Sequence, residues 1–179
     1  SAGAGGFYTA IAPGQYTLAG KIAAATDKDL AISTVSTTIA DGKSYSFYMS
    51  GFYDPVAKTV AGFVIDDPFV PPTDTTVASV RFVNAISNAN PMTLYAKNAT
   101  TGVEVAVGAT VAYKSAGAFT ALPTGVYDLN TRYAGSTTNV ITRTAQSFLG
   151  GRVYTISARG DITSTSATNK PALDNTANY

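Results

Sequence analysis

The sequence predicts an all-β protein, built as two tandem β-sandwich domains of which the first lacks its opening strands. Three observations predict it. Apolar and polar residues alternate at period two along most of the chain, and successive strand side chains project to opposite faces of a sheet. Turn-forming pairs punctuate these runs at short intervals, as at Pro13-Gly14, Asp41-Gly42, Thr101-Gly102, Thr124-Gly125 and Gly150-Gly151. Short strands between regular turns are the pattern of a sandwich or barrel. Finally, the stretch GFYTAIAPGQYTL at 6–18 returns as GAFTALPTGVYDL at 117–129.

The elements follow in chain order. Residues 7–12, from Phe7 to Ala12, read as an edge strand. In 15–22, Tyr16, Leu18 and Ile22 share one face and Gln15, Thr17 and Lys21 the other. Helical spacing occurs only around 19–31, where the alanines suggest a turn or a short helix. Residues 43–51 set Tyr45, Phe47 and Met49 against serines at 44, 46 and 50. The segments 77–86, 92–97 and 103–114 read as about three strands. In 126–133, Tyr127, Leu129, Thr131 and Tyr133 oppose Asp128, Asn130 and Arg132. In 152–160, Tyr154, Ile156 and Ala158 oppose Arg152, Thr155, Ser157 and Arg159.

Both copies carry a Gly-x-Tyr step, Gly14-Gln15-Tyr16 and Gly125-Val126-Tyr127. Glycine permits the tight reversal into the strand, and the tyrosine two places later packs near the rim with its hydroxyl aimed at a backbone partner, as in a tyrosine corner. An aromatic-ligand site is the functional alternative at these tyrosines. At one constant offset, Gly6, Thr9, Ala10, Gly14, Tyr16 and Leu18 fall on Gly117, Thr120, Ala121, Gly125, Tyr127 and Leu129. After a two-residue change of offset, Gly42, Tyr45 and Gly51 fall on Gly151, Tyr154 and Gly160. The endings VIDD at 64–67 and ALDN at 172–175 also correspond. The resulting division is an incomplete first copy at 1–67, a proline-rich linker at 68–76 and a complete second copy at 77–179. Prolines favour an extended, semi-rigid spacer. The second copy has roughly forty residues before its repeated stretch; the first has only SAGAGG.

VRFVNAISNANPMTLYA at 80–96, ALPTGVYDL, GGRVYTISARG at 150–160 and the closing LDN resemble the bacterial family catalogued as domain of unknown function 4397. The resemblance covers 77–179, and 6–67 as a partial copy. It implies an Ig-like β-sandwich that often occurs in tandem in exported or lipid-anchored envelope proteins. It implies no activity and no catalytic residues. The chain departs from the pattern at Ile86-Ser87, in place of Ser-Pro, and at Thr93-Leu94-Tyr95, in place of Asp-Val-Tyr. Pro13-Gly14-x-Tyr16 carries a weaker resemblance to the prealbumin-like modules of surface adhesins.

Composition narrows the chemistry. Charged residues are 13% of the 179, with 12 Lys plus Arg against 11 Asp plus Glu, so no basic excess attracts a phosphate backbone and nucleic acid is not expected as a partner. There is no Cys and no His, which removes thiolate chemistry, the usual general base near neutral pH and the commonest metal ligand. A Ser–Lys pair is formally available, but Lys43-Ser44 and Lys114-Ser115 are adjacent and would point to opposite faces in a strand. The carboxylates of Asp54, Asp66, Asp67 and Glu104 are few, and the bland reading of Asp66-Asp67 is a strand end in solvent rather than a calcium site. Asp27 and Asp29 flank Lys28, which partly neutralises them, and Asn98-Ala99-Thr100 is a glycosylation sequon on a loop. SAGAGG reads as a flexible leader. No catalytic, cofactor-binding or metal-ligating residue is assigned, no cofactor is expected, and no apolar run reaches the ~20 residues of a transmembrane helix.

The expectation is therefore a non-catalytic, exported structural subunit at the bacterial cell surface or in an extracellular filament, with room for a lipid anchor upstream. Its partners would be other copies of itself, meeting at the edge from Phe7 to Ala12 by strand complementation. The alternative is a surface module that binds polysaccharide or a host ligand through loops and tyrosines.

Overall fold

Alternation builds the strands that form, and the computed structural model describes them over residues 8–178. The chain divides into two compact units, one of them Tyr8–Pro68 and the other containing Phe69–Tyr179. All thirteen regular elements among the described residues are strands.

In the first unit, β1 (Gly14–Lys21) pairs antiparallel with β2 (Ala31–Ile39), and β3 (Tyr45–Asp54) pairs antiparallel with β4 (Thr59–Asp66). The two ribbons stack face to face. A Cβ on Gly62 of β4 would lie 2.3 Å from Ser33 Oγ and 2.8 Å from Val35 Cγ2 of β2. A Cβ on Gly20 of β1 would meet the Met49 side chain of β3. So β2 lies over β4 and β1 over β3, and glycine is what lets the layers approach this closely.

The second unit contains β5 (Val77–Asn84), β6 (Met92–Asn98), β7 (Glu104–Val111), β8 (Ser115–Ala116), β9 (Thr120–Pro123), β10 (Gly125–Tyr133), β11 (Ile141–Phe148), β12 (Val153–Arg159) and β13 (Ala172–Ala177). One sheet runs β11-β10-β6-β7 and the other β13-β12-β5-β8, with β9 also paired to β5. Their inner faces share one core, the arrangement of a β-sandwich, in which Val80, Phe82, Met92, Leu94, Val107, Leu129, Phe148 and Ile156 are fully buried. The outer face of β5 holds a polar centre. Arg81 is 1% exposed; its Nε donates to Thr155 Oγ at 3.1 Å and its guanidinium lies 4.8 Å from the Phe119 ring. Asn84, at the end of β5, accepts from Ile86 N–H and donates to the Val111 carbonyl. That pins β5 to the edge of the opposite sheet.

Four expectations are corrected. The alanine-rich stretch 19–31 holds no helix: it is the end of β1, a turn and the start of β2, with Asp27 and Asp29 at φ 56° and 64°. Cross-strand pairing outweighs alanine's helix preference here. The endings correspond less simply than VIDD and ALDN suggest. Phe47 is opposite Val64 and Ile156 is opposite Asn175, so Val64 matches Asn175 and the similar letters are three places out of register. The stretch 68–76 is not all spacer: Thr124 N–H donates to the Thr76 carbonyl at 2.8 Å, and a Cβ on Gly150 would sit 1.7 Å from the Thr75 carbonyl oxygen. Finally, residues 8–12 form no strand. Phe7 and the SAGAGG leader lie outside the described residues.

Candidate functional site

Several hydrogen bonds and backbone angles of the first unit recur at the repeat-related positions of the second. Tyr16 OH donates to the Ala12 carbonyl at 2.7 Å, and Tyr127 OH donates to the Pro123 carbonyl at 2.8 Å. The Tyr45 hydroxyl accepts from Ala40 N–H at 3.3 Å, and the Tyr154 hydroxyl from Leu149 N–H at 3.1 Å. Gly42 and Gly151 share a left-handed φ of 67° and 73°, and Gly51 and Gly160 share 92° and 104°. Both Gly-x-Tyr steps therefore make the predicted tyrosine-to-backbone bond. By this matching β1, β2, β3 and β4 answer to β10, β11, β12 and β13.

In the second unit β10 has β6 on its other side and β12 has β5 on its other side. Among the described residues of the first unit, β1 and β3 have no strand in those places. Because β1 lies over β3, these two edges are on the same side of the first unit. The consequence is read in exposure. Leu122 of β9 is 1% exposed, whereas Ile11, its counterpart, is 48% exposed. Ala158 is fully buried, whereas Met49 is 49% exposed. Tyr16, Leu18 and Phe47 are half-buried where Tyr127, Leu129 and Ile156 are buried. The same matching explains why residues 9–12 are irregular: β9 is a strand because it pairs with β5, and the first unit has no β5 among the described residues.

This open side is the candidate site, a slot bordered by Tyr45, Phe47 and Met49 of β3, with Ile11 the counterpart of the buried Leu122. No charged residue occurs in 9–12 or 44–53. At one end of β3, Asp67 is 3% exposed and accepts from Tyr8 OH at 2.7 Å and from Ser46 Oγ at 2.5 Å. The solvent-cap reading of Asp67 is thus overturned: two hydroxyls hold its carboxylate inside the unit, while Asp66 is exposed.

The other residues with chemical potential are spread apart and employed locally. Asp54 accepts from the backbone N–H groups of Val56 and Ala57, at 2.8 and 3.0 Å, and the Ala57 bond above all holds its carboxyl below the usual range. Glu104 forms a two-pronged pair with Arg132, at 2.6 and 2.9 Å, and the Arg132 guanidinium stacks 4.6 Å from the Tyr95 ring. The Glu104 bond raises the Arg132 pKa further. Asp27 pairs with Lys58 at 3.3 Å. Lys114 lies 5.4 Å from the Tyr113 ring, and Ser115 is paired with Asn84 in β8. Asn98 Oδ1 accepts from Thr100 and Thr101 N–H, which closes the turn carrying the sequon. No group of three His, Cys, Asp or Glu residues suited to a metal occurs among the described residues. No helix long and apolar enough to cross a membrane occurs among the described residues.

A hollow of about 420 Å³ lies over the first ribbon, lined by Gln15, Tyr16, Thr17, Ser36, Thr37 and Thr38. Sequence reasoning did not single out this polar surface, although the consecutive hydroxyl residues Ser36, Thr37 and Thr38 of β2 are plain in the sequence. No family model and no curated protein sequence matches this chain.

Proposed function

We propose that this chain is a non-catalytic, exported structural subunit of a bacterial cell-surface or extracellular assembly, made of two Ig-like sandwich domains of the family it resembles. Its first domain is completed by strands from outside residues 8–178. The observation that carries this is the contrast between matched positions: Ile11 and Met49 are about half exposed where Leu122 and Ala158 are buried. A sandwich open along one side leaves strand edges and core side chains ready for another strand, a state that proteins seldom leave uncovered. Uncharged slot walls suit such packing. A head-to-tail contact that does not close on itself would extend it into a filament.

Negative-stain electron microscopy of the native material tests this reading. Regular fibres or sheets are the expected result; uniform small particles at all concentrations count against it. The alternative, a surface module for polysaccharide, draws on the hydroxyl-lined hollow over β1 and β2. A glycan array with hits lost in Gln15→Ala would favour that reading over assembly.

A further inference from the structure

The second unit contains a template for what fills the slot of the first. There β5 lies between β12 and β9, parallel to the former and antiparallel to the latter. Val80 is opposite Tyr154, Phe82 opposite Ile156 and Asn84 opposite Ala158, while Ala78 is opposite Leu122. Every one of these neighbours has a counterpart in the first unit: Tyr45, Phe47, Met49 and Ile11. Resting on the assembly reading above, we propose that the slot takes one strand of β5's pattern from outside residues 8–178, running parallel to β3 and antiparallel to residues 9–12.

The register follows from the matching. The donor places an apolar residue beside Tyr45, a second beside Phe47 and a small one beside Ile11, all facing the interior. Side chains alternate, so a slip of one residue would turn all three outward. The slot walls carry no charge in 9–12 or 44–53, so the inward positions of the donor are neutral. Symmetric pairing of two β3 edges about a two-fold axis runs antiparallel and does not reproduce the parallel ladder of β12 and β5. The chain's own β5 is not a spare donor, because it is already held between β12, β8 and β9, with Val80, Arg81, Phe82, Val83 and Asn84 buried.

The probe is a synthetic peptide with β5's own sequence, VASVRFVN, added to the full chain. Three results are expected. Binding is saturable at one peptide per chain, and amide exchange slows in residues 9–12 and 45–49. A peptide with serine at the two inward apolar places, VASSRSVN, binds more than about tenfold more weakly. A nitroxide on the peptide's N-terminus broadens signals around Tyr45, and one on its C-terminus broadens those around Met49. Reversed broadening would overturn the parallel sense, and equal binding of the serine peptide would overturn the register. A chain that refuses the peptide yet forms fibres overturns this donor and leaves the assembly reading standing. One that stays monomeric and refuses the peptide overturns both.

Discussion

At the scale of single residues, matched positions carry different energies because their surroundings differ. Leu129 is fully buried and Leu18 is half-buried. Truncating Leu129 to alanine should cost about 2–5 kcal/mol, the range for a packed core leucine. Leu18→Ala should cost under about 2 kcal/mol, since part of that side chain never leaves water. Urea titrations followed by resolved signals from each unit measure both. Gly150→Ala should destabilise the second unit by about 1–3 kcal/mol or more, because the new Cβ meets the backbone oxygen of Thr75 at 1.7 Å and no side chain can swing aside. Ser33 is the opposite case. Its hydroxyl is buried and has no hydrogen-bond partner among the described residues, so Ser33→Ala should leave stability unchanged or raise it by up to about 1 kcal/mol.

Among elements, the difference between a strand with two neighbours and a strand with one should be visible in amide exchange. β10 and β12 are each flanked on both sides, whereas β1 and β3 each have one partner among the described residues. Amides of β10 and β12 should exchange far more slowly than those of β1 and β3, and residues 8–12 should exchange nearly as fast as an unfolded chain. Equal protection in β1 and β10 would mean that the slot is already filled. Sequence reading located these elements well. The alternation in 15–22, 43–51, 126–133 and 152–160 corresponds to β1, β3, β10 and β12, with the inward faces it named. It failed at 19–31, where a hairpin overrode alanine, and at 8–12, which forms no strand where the matching β9 is paired with β5.

For the molecule as a whole, pH dependence follows from which groups the fold perturbs. Three carboxylates, Asp54 and Asp74 exposed and Asp161 partly buried, have lowered pKa values. Asp54 is held by the N–H groups of Ala57 and Val56, Asp74 by the Thr76 hydroxyl and N–H, and Asp161 by the Asn88 side chain and then Thr163. A carboxyl whose folded value lies below its unfolded value adds stability above the unfolded value, and that contribution is lost as pH falls through the folded one. With no histidine in the chain, the thermal midpoint should be flat between about pH 5 and 8 and should fall below about pH 4. A sharp transition near pH 6 would contradict this.

What the sequence by itself determined is the strand class, the inward faces, the repeated Gly-x-Tyr corners and the lack of cysteine and histidine, because period-two alternation and residue type are local properties of the chain. Tertiary structure alone decided that Asp67 is buried between two hydroxyls, that Gly150 makes room for Thr75, and that the similar letters VIDD and ALDN are out of register. It also decided that the open edges of β1 and β3 lie on one side. Each of these depends on which distant strand lies alongside, and pairing partners far apart in the chain leave no periodic trace in the segments that meet.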